Sequence, residues 1–250
     1  MKLPNFLARP AVATRTPAPL VVPVMDTVRV DLQYHRPRSG GDFFDALAMG
    51  NSRLVFLLMD IAGGRVSAMN LAAFVQDEFR SRSPLWFTGG INESESLSEL
   101  CLHLNRTILT TAGRAHMSPA FLGVLNADVG TLTYINAGHV PGMLLASQSN
   151  EFLEPTGLPL GLFSHATLEA RFRVIPRGGA LLMASRGVVE ARSDSIGRNP
   201  EFGAGGLLKA SAAVSHVAQL LCRSVLDSAI LYAGKHIDND MSVVAISRDA

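Results

Sequence analysis

Hydrophobic and polar positions divide the chain into segments of strand-like and helical period. Residues 28–34 alternate apolar and polar side chains, which predicts a strand with one face in water. Residues 54–58 are all apolar and predict a strand buried on both faces, which ends at Asp60 shortly before Gly63 and Gly64. The glycine pair at 40–41 predicts a bulge or tight turn before another strand, so that Asp42 also lies at a strand edge.

Two helical segments follow, and the rest of the chain is rich in strands. Residues 66–82 predict a helix that stops at Ser83 and Pro84, and residues 96–111 predict a second helix. Ser96 and Glu99 have the spacing of a capping box at its start. Connections within 120–146 are too short for parallel crossovers, which favours antiparallel pairing. Further strands are predicted over 120–126, 131–136, 143–146, 168–174, 180–185 and 241–247, with a mostly helical segment at 207–233.

Polar residues mark the ends of several predicted strands. Asp42, Asp60, Arg186 with Gly187, and Asn239 with Asp240 are four such ends. Clustered carboxylates repel one another unless a cation lies among them, and ligands that are all oxygen favour Mg²⁺ or Mn²⁺ over zinc. The alternative is structural, because Asp60 can cap the following helix and each polar end can be an ordinary turn.

Composition restricts the classes of protein that remain. The chain has 250 residues, of which 48% are hydrophobic and 17% charged, which excludes disorder and favours one folded domain over 24–250 after a flexible Pro-rich lead-in at 1–23. A formal net charge of +1 argues against nucleic acid or a membrane surface as partner. No membrane span or signal peptide is evident, so we expect a cytoplasmic protein. Cys101 and Cys222 are expected to be buried thiols.

Six short motifs, taken in order, resemble those of the PPM-type metal-dependent protein serine/threonine phosphatases. The resemblance is to the bacterial branch typified by stage II sporulation protein E and the sigma-factor regulatory phosphatases, and it covers residues 24–248. No single motif is specific, but their order and spacing together are. The motifs are Gly40-Gly41-Asp42-Phe43-Phe44-Asp45, Met59-Asp60-Ile61-Ala62-Gly63, Asn136-Ala137-Gly138-His139, Leu158-Pro159-Leu160-Gly161-Leu162, Arg186-Gly187-Val188-Val189-Glu190-Ala191 and Asn239-Asp240-Met241-Ser242.

This resemblance implies a fold, a reaction and a set of site residues. The implied fold is α+β, a four-layer α-β-β-α sandwich of two antiparallel sheets flanked by helices. The implied reaction is attack of a metal-activated water on phosphoserine or phosphothreonine, with Mn²⁺ or Mg²⁺ as cofactor and a phosphoprotein, such as an anti-sigma-factor antagonist, as partner. By position, Asp42 matches a metal ligand and Asp60 matches the bridging carboxylate, and both are implied to be catalytic. Ile61 matches the residue whose backbone carbonyl binds the metal, and Asn239 and Asp240 match the final acidic pair of the metal site.

Departures from the family pattern put turnover in doubt. Ser185-Arg186-Gly187 stands where the family has Thr-Asp-Gly, and Asn239 stands where the first acid of the final pair is expected. The family's histidine after Asp-Val-Ser-Gly is absent, because Gly64 follows Gly63 here. An arginine cannot be a metal ligand, so we expect Arg186 to occupy the vacated space and pair with Asp60.

Three hypotheses remain open from the sequence. The chain is a phosphatase that uses one metal with Arg186 as a phosphate clamp, or a pseudophosphatase that binds a protein without hydrolysing it, or a nucleotide-binding domain. The last rests only on the glycine-rich run 203–206. Arg38 is either a phosphate contact or an exposed residue at a strand edge. His139 is either a ligand or acid or, more simply, part of a turn, and Glu190 is expected to cap or pair locally.

Overall fold

The computed structural model describes residues 14–35, 41–112, 116–147, 149–165, 167–193, 200–235, 237 and 239–250. Arg38 therefore lies outside the described residues. The helices are α1 Arg65–Trp86, α2 Glu93–Ala112, α3 Arg186–Val189, α4 Gly203–Ala212 and α5 Ala218–Ala233. The strands are β1 Val28–His35, β2 Asp42–Met49, β3 Arg53–Asp60, β4 Ala120–Asn126, β5 Thr131–Ala137, β6 Gly142–Leu145, β7 Asn150–Leu153, β8 Arg171–Val174, β9 Ala180–Ala184 and β10 Met241–Arg248.

The strands form two antiparallel sheets that pack face to face between two helical layers. The first sheet has the order β1-β10-β9-β6-β7, and the second has the order β2-β3-β4-β5-β8. Phe56 and Phe121 lie in the core between the sheets. Phe79 of α1 packs in a second core over the outer face of the second sheet, and Val225 of α5 packs in a third core over the first sheet. The predicted four-layer α-β-β-α sandwich is confirmed.

Two predicted helix boundaries were wrong. The first helix does not stop at Pro84 but includes it and continues to Trp86. A proline in the last turn removes a single backbone hydrogen bond, and packing of the Trp86 ring against His103 of α2, at 5.8 Å between centroids, holds this turn in place. The second helix begins at Glu93, three residues before the predicted capping box, because the Asn92 side chain accepts the backbone N–H groups of Ser94 and Glu95.

Part of the N-terminal lead-in lies against α1. We call residues 14–20 the N-terminal segment. The Ala18 backbone N–H donates to Gln76 Oε1 at 2.6 Å, and Gln76 Nε2 donates to the Ala18 carbonyl at 3.0 Å. The Arg15 guanidinium lies 2.6 Å from the Asp77 carboxylate and 4.5 Å from the centre of the Phe74 ring. These contacts fix the N-terminal segment on the exposed side of α1.

A buried ion pair joins this segment and α1 to the second sheet. The side chain of Asp45 on β2 is completely buried, and both its oxygens accept from the Arg80 guanidinium, at 2.7 Å and 3.0 Å. Arg80 also donates to the Pro19 carbonyl at 3.4 Å. The buried carboxylate is thereby compensated in both charge and hydrogen bonding, as a buried acid must be.

A second buried guanidinium joins the two sheets at the other end of the sandwich. Arg248, at the end of β10, is 6% exposed and donates to the carbonyls of Ile175 at 2.8 Å and Ala127 at 3.0 Å. Ala127 belongs to the turn between β4 and β5, and Ile175 follows β8, so both acceptors belong to the second sheet or its connections. The last strand of the first sheet is thus tied to the second sheet.

The cysteine and membrane predictions can be compared with the described residues. Cys101 and Cys222 are free and buried, as expected. Within the described ranges, no helix combines the length and the apolar character needed to cross a membrane.

Candidate active site

The two acids of the second sheet lie side by side. Asp42 begins β2, Asp60 ends β3, and the antiparallel register pairs them directly. Backbone hydrogen bonds fix both ends, since Asp60 N–H donates to the Pro119 carbonyl at 2.9 Å and Ile61 N–H donates to the Gly41 carbonyl at 2.8 Å. Residues 54–59 of β3 are apolar and buried. Asp60, the last residue of the strand, lines an open cleft.

Two segments of the first sheet complete this cleft. Ser185, which follows β9, donates its backbone N–H to the Ser242 carbonyl at 2.8 Å, and Ser242 N–H donates to Ser185 Oγ at 3.0 Å. A Cβ on Gly187 would lie 2.1 Å from the Asp240 carbonyl oxygen, so only glycine allows this close approach. The resulting cleft has a volume of about 220 Å³ and is lined by Gly41, Asp42, Asp60, Ile61, Ala62, Gly63, Arg186, Gly187, Asn239 and Asp240.

Asp42 is the most strongly perturbed acid of the cleft. Burial raises its pKa from 3.8 to about 6, and the Asp60 and Asp240 carboxylates add to this rise. Hydrogen bonds from the Ser242 and Ser185 side chains act in the opposite direction. Its Oδ2 is buried and finds no hydrogen-bond partner within the described part of the chain. Asp42 is therefore a buried acid whose charge would be stabilised by a cation.

Arg186 lies beside the second acid of the pair. Its Nη2 is 3.6 Å from Asp60 Oδ2, and its Nε is 3.9 Å from Glu190 Oε1. The expected pairing of Arg186 with Asp60 and the local pairing of Glu190 are both present. The contact with Asp60 is too long for a good hydrogen bond, and the Arg186 side chain is 52% exposed, so this is an electrostatic contact at the mouth of the cleft.

The cleft contains oxygen donors of the kind that bind hard cations. Asp42, Asp60, Asp240 and the Ile61 carbonyl are oxygen donors of the kind that Mg²⁺ and Mn²⁺ prefer. Among the described residues, Asp42 Oδ2 has no hydrogen-bond partner and is an available ligand atom. Asn239 is neutral, however, and the Arg186 guanidinium brings a positive charge to Asp60. In the described residues, no three His, Cys, Asp or Glu side chains are grouped closely enough to hold a metal ion.

His139 lies near the cleft but serves the fold. It is 4% exposed, its backbone N–H donates to Asn136 Oδ1 at 2.8 Å, and its Nδ1 lies 3.1 Å from the Val140 carbonyl. Burial lowers its pKa, while the nearby Asp60 charge acts in the opposite direction. These contacts favour the turn interpretation.

The glycine-rich run 203–206 forms the first turn of α4, in the outer helical layer over the first sheet. A Cβ on Gly206 would lie 2.5 Å from the Phe202 ring, so this glycine serves close packing. Its place in the fold gives no support to nucleotide binding.

Sequence reasoning missed three residues around the cleft. The Ser185 and Ser242 hydroxyls act on Asp42 from the first sheet, and no motif spacing signals this. His116 lies with its ring 3.5 Å from the position of a Cβ on Gly63, and its Nε2 is buried without a hydrogen-bond partner in the described ranges. It lies far from Gly63 in sequence, and only the fold brings the two together.

Comparison with known proteins identifies the family. The family model described as stage II sporulation protein E (SpoIIE) matches residues 50–249. The phosphoserine phosphatase RsbP of Bacillus subtilis is 22% identical over 169 residues, which are 67% of this chain and 41% of RsbP. The chain thus spans less than half the length of this relative.

Solved structures show the same fold. The RsbU and RsbW domains of Rv1364c from Mycobacterium tuberculosis match with a TM-score of 0.74 and 25% identity over 92% of this chain and 64% of that chain. The PP2C phosphatase domain of SpoIIE from Bacillus subtilis, solved with a fragment of its regulatory domain, matches with a TM-score of 0.73 and 15% identity over 89% and 64% of the two chains. The chain therefore belongs to the SpoIIE family, the sigma-factor regulatory branch of the PP2C-type phosphatase domains.

Proposed function

We propose that this domain recognises a phosphoserine or phosphothreonine protein of a partner-switching pathway, and that its hydrolytic step is strongly impaired or lost. Support for the phosphoprotein comes from relatives, because RsbP is named a phosphoserine phosphatase and Rv1364c carries RsbU and RsbW domains. An anti-sigma-factor antagonist is the partner that we would test first.

The observation that carries the proposal is the contact of Arg186 with Asp60, at 3.6 Å between Nη2 and Oδ2. A guanidinium keeps its positive charge at any physiological pH and donates hydrogen bonds only. It therefore supplies charge to Asp60 without activating a water. Asn239, which is neutral, provides no second carboxylate to balance another cation.

The remaining residues are compatible with a single Mg²⁺ or Mn²⁺. Asp42, Asp60 and the Ile61 carbonyl would hold it, with Asp240 close by. Such an ion, when bound, would lower the pKa of a coordinated water and neutralise phosphate oxygens. The Ser185 and Ser242 side chains hydrogen-bond to the Asp42 carboxylate and hold it in place. Because Gly187 has no side chain, residues 239–240 can approach it and form one wall of the cleft.

The decisive experiment compares the wild-type protein with the double variant Arg186→Asp, Asn239→Asp. Mn²⁺ stoichiometry is measured by calorimetry, and phosphate release from a phosphothreonine peptide is measured in parallel. We expect at most one ion and no measurable turnover for the wild type, and two ions with at least roughly tenfold more phosphate release for the double variant. Arg223→Asp, at an arginine of α5 whose side chain is 80% exposed, controls for the charge reversal at position 186.

Two outcomes would contradict the proposal. Two bound ions with steady turnover in the wild type would make the chain an ordinary phosphatase in which Arg186 moves aside. A double variant that folds and binds two ions but stays inert would show that positions 186 and 239 are not the missing ligands.

A second candidate is a one-metal phosphatase in which Arg186 clamps the substrate phosphate. It is favoured by the exposure of Arg186, whose side chain is 52% accessible and only loosely paired. The variant Arg186→Met separates the two candidates. Loss of phosphate release would support the clamp, because planar guanidinium groups bind phosphate in bidentate fashion. Unchanged or increased release would support the impaired site.

A further inference from the structure

The connection between β3 and α1 forms one side of the candidate active site. It comprises residues 61–64, which we call the β3–α1 loop, and its first three residues line the cleft. Hydrogen bonds hold the loop at its two ends. The Ile61 N–H bond described above fixes the start, and the Gly64 carbonyl accepts from Ala68 N–H at 3.0 Å. The backbone of residues 62–63 makes no hydrogen bond to another described residue, so the middle of the loop depends on packing.

The ring of His116 packs against the middle of this loop from a distant part of the chain. Gly63 adopts a φ of +123°, a conformation that favours glycine, and it has no side chain with which to anchor itself. His116 Cε1 lies 3.5 Å from the position of a Cβ on Gly63, and Ser67 Oγ lies 3.2 Å from the same position. In the described part of the chain, the buried Nε2 of His116 has no hydrogen-bond partner. This nitrogen therefore contributes to the contact by packing alone.

His116 is itself held in place by the layer that carries α2. Its backbone N–H donates to the Gly161 carbonyl at 2.9 Å. A Cβ on Gly161 would collide with the His116 carbonyl oxygen, so the two backbones are in close contact. Gly161 N–H in turn donates to Oδ1 of Asn105, a fully buried residue of α2, at 2.7 Å. The position of the His116 ring is thus fixed independently of the β3–α1 loop.

The segment that carries His116 contacts the chain on both sides of Ile61. On one side, the Pro119 carbonyl accepts from Asp60 N–H at 2.9 Å. On the other side, the His116 ring lies against Gly63. The Ile61 carbonyl belongs to the planar peptide unit that leads toward Gly63, so the direction of this carbonyl depends on where Gly63 is held.

We propose that His116 is a positioning residue of the candidate metal site, whose ring keeps Gly63, and through it the Ile61 carbonyl, in the orientation that a cation requires. The inference rests on the proposed function for the role of that carbonyl. Metal–ligand distances must be correct to within about 0.2 Å, so a small movement of the loop weakens binding even though no ligand is removed.

The first test measures amide hydrogen exchange by NMR in the metal-free protein. The amides of Ile61 and Ala68 report on the two ends of the β3–α1 loop. His116→Ala removes the ring and should make both exchange at least roughly tenfold faster, because local opening of the loop becomes easier. His116→Phe keeps a planar ring and should leave both rates within about twofold of the wild type.

A matched control separates this role from a general loss of stability. Val225 is fully buried on α5, in the core over the first sheet. Val225→Ala should lower the free energy of unfolding by leaving a small cavity, but it should not change the exchange of the Ile61 and Ala68 amides.

The second test measures Mn²⁺ affinity by calorimetry for the same proteins. His116→Ala should weaken binding by roughly tenfold, as is typical when a residue that orients a metal ligand is removed. His116→Phe and Val225→Ala should both bind like the wild type. Loss of binding in both His116 variants would instead indicate that an imidazole nitrogen is needed, and would overturn the proposal.

Three results of the exchange measurement would also overturn it. These are unchanged exchange of Ile61 and Ala68 in His116→Ala, equal acceleration in Val225→Ala, and failure of His116→Phe to restore the wild-type rates. The exchange measurement needs no ion, phosphate or turnover. It therefore gives an answer even if the wild type binds no Mn²⁺, and its failure is distinguishable from failure of the proposed function, which Mn²⁺ stoichiometry and phosphate release decide.

Discussion

The burial of Asp42 makes a prediction about stability that needs no knowledge of the substrate. The variant is Asp42→Asn, which keeps the shape of the side chain and resembles the protonated acid. In the wild type the carboxylate is buried away from water, with Asp60 and Asp240 as further neighbours, and its pKa rises from 3.8 to about 6. The folded protein therefore binds a proton at this site more tightly than the unfolded chain does.

The sign and size of the effect follow from this difference. Well below pH 3.8 the carboxyl is protonated in both states and costs nothing. As the pH rises from about 4 to about 6, the unfolded chain gains its charge more easily, and the free energy of unfolding falls. A pKa rise from 3.8 to about 6 corresponds to a loss of roughly 3 kcal/mol, which then persists at higher pH. Asp42→Asn avoids this loss, so at pH 7.5 it should be more stable than the wild type by up to roughly 3 kcal/mol.

Urea denaturation in the presence of EDTA, at pH 4.5, 6 and 7.5, measures this difference directly. The advantage of the variant should grow with pH, and saturating Mn²⁺ should reduce it by stabilising the wild type alone. Asp227→Asn, at an exposed acid on α5, should change the free energy of unfolding by less than about 0.5 kcal/mol at every pH. An Asp42→Asn protein that is less stable than the wild type at pH 7.5 would refute the reasoning, as would a difference independent of pH.

Three further predictions concern the packing around the site. Arg80→Met leaves the fully buried Asp45 carboxylate without its ion-pair partner and should lower the free energy of unfolding by about 3–5 kcal/mol. The double variant Arg80→Met, Asp45→Leu should regain most of this lost stability. Urea denaturation of the wild type, both single variants and the double variant measures the two effects. Gly187→Ala meets the carbonyl of residue 240 and should cost about 1–3 kcal/mol in thermal denaturation, while Gly205→Ala, with open space around it, should be neutral or stabilising. Arg248→Met leaves two buried carbonyls without donors and should cost about 2–4 kcal/mol by the same measurement, with Arg248→Lys intermediate.

The local sequence pattern was sufficient to predict an element where a single strong feature, such as a continuous apolar run, marked it. The continuous apolar run before Asp60 correctly predicted the interior strand β3, because a strand buried on both faces tolerates no polar residue. The sequence did not predict β7, residues 150–153, since this short edge strand forms only by pairing with β6. The helix that passes through Pro84 was also missed, because packing against α2 outweighs the local preference of proline.

The candidate site was predictable only in part, for a related reason. Asp42 and Asp60 were identified from the sequence because each stands alone at the end of a strand, and the register of β2 with β3 places them together. The pairing of Arg186 with Asp60 was expected only through the family resemblance, because it depends on how the two sheets pack and no local pattern encodes that packing. Nor does any local pattern encode the Ser242 hydroxyl that acts on Asp42 or the His116 ring that contacts Gly63.

The hydrogen bonds of Arg248 to the second sheet affect the geometry of the cleft at the other end of the sandwich. β10 has eight residues, so its two ends are separated by roughly 23 Å at ~3.3 Å per residue. Asp42 and Asp60 belong to one sheet, while Ser185, Arg186 and Asp240 are attached to the other. Two stacked sheets can slide along each other, and a sliding of about 1 Å would separate these groups enough to disturb catalysis or binding. By fixing the longitudinal alignment of the sheets, a residue remote from the cleft determines whether its two halves meet.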